Sequence, residues 1–481
     1  MENDEKRQYL LNVLRNTPDI VKYSIMEHDN EFNKRSDFFE LKSRIDLFLD
    51  ENSNARFYIM PGLRGVGKTT ILFQLYDYLT NIRKINPNQI LYFDLDRLKD
   101  QGEFNILDYL DLFIKDINEE AYLNKDPLFI FVDESQYSDN WDHAGKIIFD
   151  ENKNVFLIFT GSDALALEYS MDSARRSVKR EIYPINFSEY LSLKYDCDMP
   201  ANISQTIFDM IFSGNIDETA KIEKYVQLNI YNKFKRDSNK IWKEHVQYGG
   251  LPSSFKLPPH EVIQTTIDIK NRVLEKDLDL ISSFTTPIRQ SSYSILNTIA
   301  LQKPGSLSLQ KLANTFELSK TAISNILESF CNAHLIFNID PYASISKRNR
   351  HPCEYYFLST QMKACIYQVN GQATQSEGDY FGALLENYVA ASLFMMKEKT
   401  KRDFGIFYDA RKKTNVNFLI NTIAGDVIPI EVGIGSKNKK QIKNAMNKYD
   451  SEFGIVVSNK TQSIIKDDDV IFIPVKTFSL M

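Results

Sequence analysis

The sequence predicts a chain of several modules led by a doubly wound α/β domain with a parallel sheet, and three observations carry that expectation. Four short apolar runs, 56–61 (RFYIMP), 89–95 (QILYFDL), 127–133 (PLFIFVD) and 154–160 (NVFLIFT), are bounded by turn residues or charges and separated by helical segments. Runs of this kind form a parallel sheet buried on both faces, since neither face can carry polar residues cheaply. The first run opens into a glycine-rich loop, and the third ends in two carboxylates. At 481 residues the chain has room for about three domains.

Composition narrows the class. With 43% hydrophobic and 25% charged residues, the chain is too apolar for a disordered protein. Lys and Arg number 58 against 64 Asp and Glu, a net charge of −6, so any nucleic-acid surface must be local. Cys197, Cys331, Cys353 and Cys365 form no CxxC pair, which argues against a zinc ribbon or a disulfide framework and fits a reducing compartment. The start, MENDEKRQ, is charged and leads into no apolar stretch, and no run reaches the length of a membrane span. A cytoplasmic protein without a membrane segment is expected.

Taken in order, residues 1–44 form a charged helical segment, and Phe38, Leu41, Ile45 and Leu49 mark one helix face running into the next module. The α/β core spans 45–195, with a fifth strand expected at 181–185 (EIYPI), where Pro184 favours a sheet edge. Residues 196–288 read as a helical lid interrupted by Gly249-Gly250-Leu251-Pro252. Short helices and a β-like segment follow over 289–360. The tail, 361–481, returns to α/β, with helices at 380–397 and 437–449 and strands near 404–408, 415–421, 427–433 and 453–458.

Gly62-Leu63-Arg64-Gly65-Val66-Gly67-Lys68-Thr69 fits GxxxxGK[ST] between a strand and a helix that continues through Thr70, Ile71, Leu72 and Leu75. Glycines allow backbone amides to turn inward around a phosphate, and the helix N-terminus adds favourable partial charge. In that role Lys68 bridges the β- and γ-phosphates and the Thr69 hydroxyl binds Mg²⁺. At a separation of 65 residues from Lys68, the third run ends Asp133-Glu134. Asp133 is placed to support the metal and Glu134 to act as general base on water.

The fourth run ends Thr160-Gly161-Ser162, where a polar side chain either senses the γ-phosphate or caps a turn. Arg175-Arg176 follow; Arg176 is a candidate finger reaching a neighbouring copy's γ-phosphate, the alternative being a solvated basic turn.

Gly62 to Thr69, DESQY (133–137), Trp141, Lys146, TGSDAL (160–165), the Arg176-to-Pro184 spacing, PINFSEYL (184–191) and YGGLP (248–252) occur in that order. As a set they resemble the AAA-type ATPases of archaea and bacteria that carry a conserved C-terminal domain of unknown function, and the resemblance covers about residues 30–480. It implies ATP as the nucleotide, Trp141 on the helix after the acidic strand, Arg176 as the finger-like residue, and GGxP within the lid.

Residues 289–360 read as a winged helix. Leu309, Leu312 and Phe316 mark one helix. Ser319 is a candidate cap for a second, whose outer face carries Lys320, Thr321, Ser324, Asn325 and Asn332. Strands near 335–340 and 354–358 would flank a tip holding Lys347, Arg348 and Arg350. Six Lys/Arg against three Asp/Glu over 303–350 make this stretch locally basic. It is a candidate contact for double-stranded DNA, or else a packing connector.

The tail resembles a restriction-endonuclease-like fold. Glu386 matches the helix carboxylate of such nucleases, but Asn417 stands where an Asp ligand is needed, and Glu431-Val432-Gly433 has Gly in place of the lysine. A degenerate, non-cutting scaffold or DNA-backbone binder is expected, the alternative being a residual nuclease. Together these readings point to a Mg²⁺-dependent ATPase whose nucleotide state moves the C-terminal modules on DNA. The alternative is a slow ATP switch gating protein partners, and a homo-oligomer is implied only by Arg176.

Overall fold

The four apolar runs become strands in the computed structural model, which describes residues 3–27, 30–98, 104–161, 175–277, 286–302, 305, 307–348, 351–370, 376–409, 416–435 and 439–481. They are β1 (Phe57–Pro61), β2 (Ile90–Asp94), β3 (Leu128–Asp133) and β4 (Val155–Gly161), with β5 at Val178–Lys179. The sheet is parallel throughout, in the order β2-β3-β4-β1-β5. Every residue of β1, β3 and β4 is buried, as continuous apolar strands covered on both faces require. Non-adjacent neighbours in this order put a topological switch at the C-terminal ends of β1, β3 and β4, where α/β sheets bind ligands.

One face is covered by the helix Asn3–Ile25, whose Leu10 and Leu14 join Leu91, Phe93, Tyr109 and Val132 in a single core cluster. Trp141 opens the helix Trp141–Glu151 and is buried with its ring 6.0 Å from Phe159.

The fifth strand lies earlier than the expected 181–185. Val178 and Lys179 pair with Tyr58 and Ile59, and the chain then continues along β1 with Arg180 N donating to Ile59 O and Ile182 N to Pro61 O, each at 2.8 Å. Pro184 has no N–H to extend that pairing.

The chain divides into two units, 1–183 and 184–481. The second opens with the helix Phe187–Tyr195, followed by helices at Ile203–Ser213, Asp217–Asn229, Ser238–Tyr248 and Pro259–Arg272. Helices Leu309–Phe316 and Lys320–Asn332 come next. Each has a serine N-cap: Ser308 accepts from Lys311 N at 3.3 Å, and Ser319 from Ala322 N at 3.1 Å.

Among the described residues of the second unit, the strands are β6 (Ile336–Pro341), β7 (Glu354–Phe357), β8 (Phe404–Tyr408), β9 (Phe418–Thr422), β10 (Val427–Gly433), β11 (Gly454–Ser458), β12 (Ile465–Asp467) and β13 (Val470–Pro474). They form one eight-stranded mixed sheet in the order β12-β13-β11-β10-β9-β8-β6-β7. The β6–β7 hairpin, expected as a wing, extends the tail's sheet: β6 pairs in parallel with β8 through Asp340 to Phe407 and Pro341 to Tyr408. The expected division at 360/361 therefore runs through a single sheet. Ile336, Phe337 and Ile339 are buried, which a free-standing hairpin could not achieve. Among the described residues, no helix is long and apolar enough to cross a membrane.

Candidate phosphate-binding site

The site is built where β1, β3 and β4 end. Gly62 N donates to Gly161 O at 3.2 Å, fastening the start of the loop to the end of β4. A Cβ at Gly62 would stand 2.3 Å from Ile182 O, so only glycine permits this approach. Gly67 takes a left-handed conformation, φ 98°, and the helix Lys68–Asp77 begins directly after it, with Ile71 N donating to Gly67 O at 3.0 Å. Leu63 and Val66 are buried and hold the loop down between the glycines. The first turn of an α-helix, here opening at Lys68, is the usual setting for an anion.

Lys68 is 6% exposed, and Nζ donates to Gly62 O at 2.7 Å and Leu63 O at 3.3 Å. A buried ammonium needs such partners, and the loop's own carbonyls keep this one beside the amides.

The helix and β3 meet at a carboxylate. Thr69 Oγ1 donates to Asp133 Oδ2 at 2.6 Å, and Tyr92 Oη donates to the same oxygen at 3.0 Å. Thr160, wholly buried at the end of β4, donates to Asp133 Oδ1. Its Oγ1 also accepts from Glu134 N at 3.4 Å. Asp133 is thus fixed from three elements. The parallel register sets Asp94 beside it; burial, and then the Asp133 charge, raise the Asp94 carboxyl to about 6. Burial, followed by the same charge, pushes the Tyr92 phenol up as well, which keeps it a donor.

Glu134 adopts φ 55°, a left-handed backbone unusual for glutamate and of the kind found at functional turns. Its Oε1 lies 3.2 Å from Arg64 Nη1, and Oε2 accepts from Gln136 Nε2. Oxygen ligands from Thr69 and Asp133 beside a buried lysine at a helix N-terminus suit a hard divalent cation and a phosphate chain.

Of the residues expected from sequence, Gly62 through Thr70, Asp133, Glu134 and Thr160 are brought together here. Arg176 is held elsewhere: its Nε donates to Asp150 Oδ1 at 2.7 Å and Oδ2 at 2.9 Å, on the helix Trp141–Glu151. Ser162 lies outside the described residues. Tyr92 enters the sequence reading only within the apolar run 89–95, and Gln136 only within DESQY, neither with a role of its own. A lone hydroxyl in the apolar run Ile90-Leu91-Tyr92-Phe93 was the available signal for the first.

In the second unit, Glu386 is half-buried and Tyr356 Oη lies 3.1 Å from its Oε1 and 2.9 Å from Glu354 Oε2. Asn417 accepts from Val432 N at 2.8 Å through Oδ1, and its amide side hydrogen-bonds Glu386. Glu431 is fully buried on β10, which ends at Gly433. Among the described residues, no group of three or more His, Cys, Asp or Glu could hold a metal ion. On the helix Lys320–Asn332, Lys320, Thr321, Ser324 and Asn325 are exposed and Asn332 is half-buried. Arg348 sits 4.3 Å from the Phe407 ring centre and donates to Ala343 O at 2.8 Å. The Lys347 side chain and Arg350 fall outside the described residues.

Residues 54–191 match the model of an AAA domain, and 381–478 that of a domain of unknown function, DUF4143. The chain is 30% identical over 473 residues to MJ1637 of Methanocaldococcus jannaschii, described as an uncharacterized protein, covering 98% of this chain and 93% of that one. A second protein of that organism, MJ1544, is 26% identical across 81% of this chain and 78% of its own. Among solved structures, the Walker-type ATPase PABY2304 of Pyrococcus abyssi aligns with 71% of this chain and 97% of that one, at 15% identity and a TM-score of 0.37. On identity sustained over nearly its whole length, this chain belongs to the family of MJ1637, and it carries an AAA domain over 54–191 and a DUF4143 domain over 381–478.

Proposed function

We propose that the first unit binds ATP with Mg²⁺ and hydrolyses it. The observation that carries this reading is the 2.6 Å pairing of Thr69 with Asp133 beside the buried Lys68, inside an AAA domain. Lys68 and the amides of the loop hold phosphate oxygens. Thr69 and Asp133 supply oxygens for the cation, which neutralises phosphate charge when bound. Glu134 takes the proton of the attacking water, and Thr160 and Tyr92 keep Asp133 oriented. Thr160 and Ser162 also sense the γ-phosphate in this proposal. Arg176 acts as a finger toward a neighbouring copy, exchanging Asp150 for phosphate. Equilibrium binding of a fluorescent ATP analogue tests the site: the wild-type chain binds it in Mg²⁺, Lys68→Ala loses it, and equal affinity of the two removes the loop from the account.

In the second unit, the exposed polar face of Lys320–Asn332 favours contact with double-stranded DNA, the β6–β7 hairpin acting as wing. The DUF4143 domain serves as a nuclease-like scaffold that does not cut. Asn417 is committed to Val432 and Glu386 and brings no negative charge. Lys320→Glu then weakens duplex binding and makes its salt dependence shallower by about one phosphate contact. ATP turnover that is slow and indifferent to DNA favours the alternative, a nucleotide switch that gates protein partners.

A further inference from the structure

Arg64 occupies a position of the phosphate loop that GxxxxGK[ST] leaves open to any residue. Its guanidinium crosses to the acidic end of β3. Nη1 is 3.2 Å from Glu134 Oε1, and Nη2 donates to Tyr137 Oη at 3.2 Å. Gln136 donates to the other carboxylate oxygen, so both oxygens of Glu134 are engaged. The pair is well shielded, with the Arg64 side chain 11% and the Glu134 side chain 18% exposed. Shielding of this degree makes an ion pair stronger than a surface one.

Donors on both oxygens compete with an incoming water for the lone-pair sites of this carboxylate. The same guanidinium belongs to the loop that would hold a phosphate chain. Arginine binds phosphate through the same planar fork it offers a carboxylate, and a terminal phosphate carries more charge than Glu134.

We propose that Arg64 is a positioning residue that couples the terminal phosphate to the base: Glu134 and a γ-phosphate compete for its guanidinium, and a triphosphate in the loop draws Arg64 off Glu134. Diphosphate, lacking the terminal group, leaves the pair together. The inference rests on the nucleotide reading given above and deepens it.

Binding, rather than turnover, tests it. Affinities of ADP and of a non-hydrolysable ATP analogue, both with Mg²⁺, are measured by calorimetry for the wild type, Arg64→Met, Glu134→Gln and the double variant. Arg64→Met weakens the triphosphate analogue by about tenfold while ADP stays within about twofold. Glu134→Gln tightens the analogue in the wild-type background and has no such effect once Arg64 is gone. Arg64→Lys retains part of the preference, and Arg64→Gln carries the same test if the Met variant folds poorly.

Equal loss of both nucleotides in Arg64→Met, or the same Glu134→Gln effect in both backgrounds, overturns the coupling while leaving the site intact. Failure of the wild-type chain to bind either nucleotide overturns the nucleotide reading itself.

Discussion

Thr69 and Asp133 stand 64 residues apart in sequence, and the Thr69 hydroxyl donates to the Asp133 carboxylate at 2.6 Å. The two ends arrive there by different routes. Gly67 turns the loop through a left-handed conformation so that the helix starts with Lys68 and Thr69 facing inward. The buried strand β3 delivers Asp133, and Tyr92 and Thr160 on the flanking strands hold it in place.

Thr160 is the most testable of these supports. Thr160→Val keeps the volume and removes a hydroxyl that donates to Asp133 and accepts from Glu134 N. The buried carboxylate then loses one of its donors, at a cost of about 1–3 kcal/mol. Denaturant midpoints report it, and Thr160→Ser recovers most of the loss. Identical midpoints for Val and Ser would assign the position to packing alone.

Gly62 and Gly67 are glycines for different reasons and separate on substitution. A Cβ at Gly62 meets Ile182 O at 2.3 Å, while one at Gly67 meets nothing within 4 Å and suffers only the left-handed backbone. Gly62→Ala therefore shifts the loop and lowers the melting temperature more than Gly67→Ala, whose cost is about 1–2 kcal/mol. The order of the two melting temperatures checks this.

Much of the first unit was legible because its strands are buried on both faces and so read as unbroken apolar runs. The loop and the acid pair were legible because their chemistry is local in sequence. Contacts set by distant partners were hidden. The edge strand holds only Val178 and Lys179, and its place is fixed by β1 rather than by its own composition. That the β6–β7 hairpin lies beside Phe407 and Tyr408 of β8 is not announced by its own residues. Arg64 and Glu134 are each legible in their motifs, but nothing across a separation of 70 positions announces that they pair.

The second unit carries a pH signature. Burial, and then the neighbouring Glu354, raise the Glu386 carboxyl from 4.5 to about 7. Below 4.5 the group is protonated whether the chain is folded or not, and its contribution is intact. Between 4.5 and 7 the folded chain holds the proton that the unfolded chain has released, so stability falls as pH rises through this window. Glu386→Gln removes the dependence: its melting temperature gains on the wild type as pH goes from 4.5 to 7, and the difference is level above that. A constant difference across the window would contradict a raised Glu386 carboxyl.

The central claim is that the first unit hydrolyses ATP with Glu134 as base. Steady-state phosphate release with Mg²⁺, compared between wild type and Glu134→Gln after both are shown to bind ATP, tests it most directly. The account predicts turnover in the wild type and a loss of about 100-fold or more in the variant with binding retained. Equal turnover in the two proteins, or none in a wild type that binds ATP, would contradict it.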